Sequence, residues 1–284
     1  MTSPIQLKSN NTPQKKVKGA PDYDDASYWD TKFVTGQDVG EWLNKGDVLL
    51  DAALTELERR YPSSHTTGND TPGNEGYISG PRALHLGPGI SALGIRIGRE
   101  NEHGKASPDH IMHWIQADLC SWEQVSQSIL PFAPFDVIID KSTSDAIATS
   151  VPRTFHRPSA SSNDNGDTCN ASEGNRSASH ETDSAICPYL RDPLSLNLNG
   201  DNSKGCVTLS PVEMLSIHLV SLAKKDAIWL VLSYSSVRFD GLPYLRKYWE
   251  VASRTPLKAP AGQASSATAM VPDVFHWVYV LRKK

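Results

Sequence analysis

Four short apolar runs leave this chain few ways to fold. RALHL (82–86), IMHWIQ (111–116), FDVIID (135–140) and AIWLVLSYS (227–235) are continuous rather than alternating. A strand with one wet face alternates apolar and polar residues; a strand covered on both faces does not. The first run ends at Gly87-Pro88-Gly89, the second at Ala117-Asp118 and the third at Lys141-Ser142. With helical sequence between them, the runs predict an α/β fold: a Rossmann-like, mostly parallel sheet with helices on both faces. FHWVYVLRK (275–283) predicts one more strand.

The helices are legible too. VLLDAALTELERR (48–60) has leucines at 50, 54 and 57, spaced to line one helix face. Ser210-Pro211-Val212-Glu213 reads as an N-cap, a proline at the first helical position and a glutamate at N3. The helix it opens is expected to run through His218, read as a residue near the core, to Lys224-Lys225, whose charges suit a helix C-terminus.

Hydrophobic residues make up 38% of the 284, below the usual globular share, so part of the chain is expected not to pack. The expected organisation is a disordered tail over 1–22 and one domain over 23–284. Residues 62–79 read as a turn-rich linker inside that domain, and about 150–208 as a disordered insertion. The insertion carries SASSNDNGDTCNASEGNRSASHETDS, too polar to offset its ordering entropy by burial. His156, His180 and Cys187 within it are assigned no function.

The net charge of -4 gives no electrostatic reason to expect a nucleic-acid partner. MTSPIQLKSNN has no apolar core, and no run approaches the roughly 18 apolar residues of a membrane helix. The four cysteines show no C-x-x-C spacing, so neither a metal site nor a disulfide framework is expected. A soluble, cytoplasmic protein fits these features.

In open α/β sheets, ligands lie beyond the carboxyl ends of the strands. Gly87 and Gly89 follow the first run, where backbone can approach a ligand closely and a helix N-terminus favours negative charge. Asp118 follows the second run, and Asp140, Lys141, Ser142, Thr143 and Asp145 close the third.

The order of these pieces is the more specific signal. SYWDTKF (27–33), EWL (41–43), LHLGPGISALG (84–94), WIQADL (114–119) and FDVIIDKSTSDAI (135–147) together resemble the seven-strand, class I S-adenosylmethionine-dependent methyltransferases. Within that superfamily the chain looks most like the branch of elongation-factor lysine methyltransferases, one member of which was long attached to an endothelin-converting enzyme. The resemblance covers about 23–149 and 209–284, and Asp-Lys-Ser-Thr-x-Asp-Ala is its most specific part. It implies a last strand antiparallel to the others, S-adenosyl-L-methionine as cofactor and a protein lysine as methyl acceptor. Leu86, Gly87 and Gly89 would then pass the amino-acid end of the cofactor, with Ser91 nearby. Asp118 would face the adenine amino group and Leu119 its ring. Asp140 and Lys141 would form the catalytic floor, and Tyr28, Trp29 and Trp42 an N-terminal lid.

One region departs from that pattern. Only residues 90–110 lie between the glycine turn and the Asp118 run, whereas a helix, strand and second helix need roughly 30 residues. The second strand, which in these enzymes ends in an acid for the ribose hydroxyls, is therefore expected to be missing. IMHWIQAD could instead fill the vacant slot and bring Asp118 to the ribose. The gap supports an alternative reading, a catalytically impaired methyltransferase-like binding or regulatory module. A nicotinamide-dependent oxidoreductase would want a third glycine at position 92, which is alanine.

Overall fold

The computed structural model describes residues 26–35, 46–61, 81–88, 93, 112–156, 186–190, 206–259 and 274–284. In chain order, α1 (Ala26–Thr35) and α2 (Asp47–Arg60) precede β1 (Ala83–Leu86). A short α3 (Trp122–Gln124) continues through a π turn (Val125–Ile129) and a 3-10 turn (Leu130–Phe132) into β2 (Phe135–Lys141). Then come α4 (Thr143–Ile147), β3 (Arg153–His156), β4 (Cys206–Leu209), α5 (Pro211–Leu222) and β5 (Ala223–Ser233). The last elements are α6 (Pro243–Tyr248), β6 (Trp249–Lys258) and β7 (Phe275–Lys283).

Five strands form the main sheet in the order β1-β2-β5-β7-β6. β1, β2 and β5 are parallel, and β7 runs antiparallel to both β5 and β6, so the final strand alone is reversed. All seven residues of β2 are buried, as an unbroken apolar strand requires. Its alternate side chains enter two cores. Ile138 joins Leu86, Trp229 and Val231 against Val212, Leu215 and Leu219 of α5. Val137 and Ile139 join Ile228, Leu230 and Leu232 against Leu49 and Ala53 of α2 and against Leu93. Helices thus cover both faces, the Rossmann-like arrangement expected.

Two local expectations need correction. IMHWIQ is not a buried strand: residues 112–118 belong to no strand, and Trp114 is 65% exposed. An apolar run becomes a central strand only if neighbours pair with it and cover it. Among the described residues no strand lies between β1 and β2, so the sheet stops at β1 on this side. Residues 94–111, where the second strand was expected to be missing, lie outside the described residues, and 112–118 add no strand beside β1. Instead, Ala117, Leu119 and Trp122 pack on the α5 side of the core.

The second correction concerns α5. Its start is as expected: the Ser210 side chain accepts from Glu213 N–H, and the Glu213 carboxylate accepts from Ser210 N–H. Its end is not. The helix stops at Leu222, and Lys224 and Lys225 belong to β5. Lys283 of β7 supplies the missing cation, its Nζ donating to Val220 O at 2.8 Å and Ala223 O at 2.7 Å. Spacing along one helix cannot reveal a cap delivered by a strand about 60 residues later.

The described parts of the 150–208 segment are structured. β3 and β4 pair antiparallel, with Arg153 opposite Leu209, and bring the two ends of the segment together. Cys187 and Leu190 are buried with Leu209, Met214 and Ile217. The expected tail over 1–22 and linker over 62–79 lie outside the described residues. No helix among the described residues is long and apolar enough to cross a membrane.

Asp136 fastens the amino end of β2. It accepts from Tyr61 Oη at 2.5 Å, Arg82 N–H at 2.8 Å and Lys224 Nζ at 2.7 Å. Burial alone would push its carboxyl up, but these three donors together hold it below the usual carboxylate value. Three segments thereby share one anion: the end of α2, the start of β1 and the start of β5. Asp136→Ala is expected to lower unfolding free energy by about 1.5–3 kcal/mol, measured by urea denaturation. Because the native carboxylate is the more acidic, the stabilisation it provides is present above pH ~4 and fades as pH falls through the native value.

Candidate functional site

The carboxyl edge of the sheet is assembled around one glycine. Leu86 pairs with Asp140, so Gly87 and Lys141 are the next residues out on β1 and β2. Gly87 has φ +49°, and a Cβ there would lie 2.5 Å from Thr143 Oγ1. That hydroxyl donates to Leu86 O at 2.9 Å. The turn after β1 and the turn after β2 therefore touch, and only glycine permits it.

Asp140 shapes the second turn. Its carboxylate accepts from Thr143 N–H at 2.8 Å and Ser144 N–H at 3.2 Å, capping the start of α4. Ser142, between them, adopts a left-handed φ of 68°, while its N–H donates to Leu232 O at 3.0 Å. Non-glycine residues are held there only when surroundings over-determine them, and such positions cluster at functional sites. Complete burial pushes the Asp140 carboxyl up to about 7, the Asp145 charge adds to that, and the backbone N–H groups oppose it.

Asp145 joins this turn to the end of β5. It is buried and accepts from Ser233 Oγ at 2.5 Å, Tyr234 N–H at 3.2 Å and Arg238 Nε at 2.7 Å. Burial still raises its carboxyl above the usual value, with the Arg238 guanidinium and the Ser233 hydroxyl pulling the other way. Arg238 lies 5.3 Å from the centre of the half-exposed Tyr234 ring. Sequence reasoning named Asp145 but missed Arg238 and Tyr234, because their partner lies about 90 residues earlier in the chain.

The other expected site residues are placed as follows. Leu86 is buried at the end of β1, and Lys141 is buried at the end of β2. Lys141 alternates with Asp140 and so projects to the α2 side. Asp118 is exposed in a turn, accepting from Cys120 N–H at 2.8 Å with Arg153 4.0 Å away. Leu119 is half-buried against the core that contains Leu86. The Leu119 carbonyl lies 2.8 Å from His218 Nδ1, and burial holds that imidazole below its usual basicity. His218 is thus a core helix residue, as its position suggests. Tyr28 and Trp29 lie on α1, with Lys32 Nζ 5.6 Å above the Tyr28 ring. Gly89, Ser91, Trp42 and the side chain of Trp29 lie outside the described residues. The structure thus joins Leu86, Gly87, Asp140 and Lys141 at one edge, with Leu119 tied in through the core.

His85 and His276 are functional candidates that sequence reasoning passed over. A single histidine inside an apolar strand reads as packing, yet both are part-buried to buried at this edge.

Two measurements check this geometry. Gly87→Ala is expected to lose at least about 1–2 kcal/mol of stability from the left-handed backbone alone, with the Thr143 clash added, in urea denaturation. The native Asp140 carboxyl titrates above its unfolded value of 3.8, at about 7. Its contribution to stability therefore falls as pH rises between those two values and is flat beyond them. Asp140→Asn, which keeps an acceptor for α4, is expected to remove that falling component, read as the difference between the two proteins' melting temperatures across pH 4 to 8.

No family model matches the chain. Over 93% of its length it is 24% identical to a Neurospora crassa protein, methyltransferase srdJ, of which the match covers 85%.

Proposed function

We propose that this chain is an S-adenosylmethionine-dependent methyltransferase acting in the cytoplasm on the lysine side chain of a protein. The observation that carries the reading is the carboxyl edge itself. The Gly87 turn and the Asp140–Asp145 turn are locked together at the parallel strand ends, in a chain similar to a methyltransferase. Ligands of open α/β sheets bind at such an edge.

The residues present suit an adenosyl cofactor in part. Gly87 lets main chain, rather than side chain, border the ligand. The exposed Asp118 carboxylate can accept from an adenine amino group, and Leu119 offers an apolar surface beside it. When bound, the cofactor supplies a methyl group already activated on a sulfonium, so the protein's task is alignment rather than acid-base work. Asp140 fixes the turn that carries Lys141 and Ser142, and Asp145 fixes that turn to β5. An incoming lysine must be neutral to attack. Burial beside the positive charges of Lys141 and the sulfonium favours loss of its proton.

A second reading, a catalytically impaired binding or regulatory module, is favoured by one observation. Among the described residues the sheet ends at β1, and no strand next to it carries an acid for the ribose. Losing a charged hydrogen-bond partner there would weaken binding by about 1.5–3 kcal/mol, roughly ten- to a hundred-fold. Isothermal titration with S-adenosylhomocysteine tests the first reading: a saturable binding heat is expected, and none at high micromolar concentration would sink it. Methylated lysine in cell extract supplied with the protein and radiolabelled donor, absent with Gly87→Ala, would in turn rule out the impaired module.

A further inference from the structure

Asp118 lies where no strand ladder can hold it. Residues 112–118 belong to no strand, so local bonds set the direction of its carboxylate. Its N–H donates to Gln124 Oε1 at 2.8 Å, its carbonyl accepts from Ser121 N–H at 3.0 Å, and its Oδ1 accepts from Cys120 N–H at 2.8 Å. In a capping box the side chain at N3 reaches back to the N–H of the N-cap residue. Here Ser121 is the N-cap of α3 and accepts from Gln124 N–H at 3.4 Å, but its own N–H is taken by Asp118 O. The Gln124 amide therefore reaches further back, to Asp118 itself.

The next residue is held from α5. Leu119 O lies 2.8 Å from His218 Nδ1. A carbonyl oxygen only accepts, so in the neutral ring Nδ1 carries the proton. His218 is buried, and the centre of its ring lies 5.5 Å from that of Trp122. Both ends of the bond are anchored: α5 is buried along nearly its whole length, and Leu119 and Trp122 pack on the core that contains Leu86. Satisfying a buried ring is one purpose of such a bond. The other is what it does to Asp118, the neighbour of Leu119.

We infer that His218 and Gln124 are positioning residues that aim the Asp118 carboxylate at a 6-aminopurine. With Oδ1 engaged by Cys120 N–H, recognition falls to Oδ2, which Arg153 Nη2 approaches only to 4.0 Å. An ionised carboxylate accepts and cannot donate, so it selects an exocyclic amino group and rejects a carbonyl at the same place. Gln124 holds the N–H before the Asp118 side chain, and His218 holds the carbonyl of the residue after it. Neither flanking peptide can swing without breaking a hydrogen bond. The inference rests on the methyl-transfer reading, which brings an adenosyl group to this edge, and goes beyond it in naming what holds the purine end.

Isothermal titration of S-adenosylhomocysteine and of S-inosylhomocysteine, in which a carbonyl oxygen replaces the 6-amino group, reads the aim of Asp118. The parent is expected to prefer the adenosyl compound by about tenfold or more, as for a hydrogen bond to a charged group, and His218→Leu and Gln124→Ala to cut that preference by about threefold or more. His218→Asn, whose side-chain N–H stands where Nδ1–H stands, is expected to restore it. A merely structural role would weaken both compounds alike, and the ratio of two affinities in one sample does not depend on how much of it is folded. Gln124 is exposed, so folding is not at stake in its variant. Should His218→Leu not fold, His218→Gln, whose amide sits at the place of Nε2, stands in for it. A preference unchanged in these variants would overturn the positioning role. Equal affinities in the parent would overturn it too, while leaving the methyl-transfer reading in place. Binding of neither compound by the parent would overturn that reading and the inference with it.

Discussion

β2 is closed off from solvent on both faces and along both edges, and the architecture follows from satisfying its two ends. Phe135–Lys141 contributes Val137 and Ile139 to one core and Ile138 to the other, between β1 and β5. Its aspartates, Asp136 and Asp140, are both buried, yet they shift in opposite directions. Asp136 has an ammonium and a phenol beside it, and its charge is held. Asp140 has only neutral donors from Thr143 and Ser144, and burial prevails. The same residue type thus becomes an anion anchoring the amino end and a cap at the carboxyl end whose carboxyl is shifted the other way, where a ligand would arrive.

Legibility in the sequence followed the range of the interactions. Strands buried on both faces could be read because their apolar runs are continuous, and β7 matches FHWVYVLRK residue for residue. The capping box of α5 could be read because its members are three residues apart. What escaped is set by contacts between distant segments. Lys283 caps a helix it does not belong to, and Arg238 reaches back to Asp145. β6 escaped for another reason: nearly all of it is exposed, and it contains Pro256, so neither its polarity nor its composition signals a strand. IMHWIQ was misread in the opposite sense, having the composition of a central strand but no neighbour to make it one. Of the site, Gly87 and Asp140 were visible as a motif. The pairing of Gly87 with Thr143 required the sheet.

The two edges of the sheet differ in a way that matters for association. β6 carries Glu250, Arg254 and Lys258 and is interrupted by Pro256, features that discourage another strand from adding there. β1, four residues long, is the other edge among the described residues, and the exposed Trp114 and Ile115 follow it in the chain. The polar, guarded edge lies far from the candidate site, and the short edge is part of it. Protection and access are thereby divided between opposite sides of one sheet.

β7 lies between β5 and β6 in space but follows both in sequence. A chain emerging from the ribosome amino end first holds β5 with one open edge and β6 with no partner until the residues of β7 appear. The cation that caps α5 arrives later still, in Lys283. Parallel assembly of β1, β2 and β5 can begin earlier, whereas the half of the sheet beyond β5 has nothing to template it until translation reaches that strand. A nascent chain stalled before residue 275 would leave the long apolar β5 edge open, making this interval the one in which chaperone protection counts most.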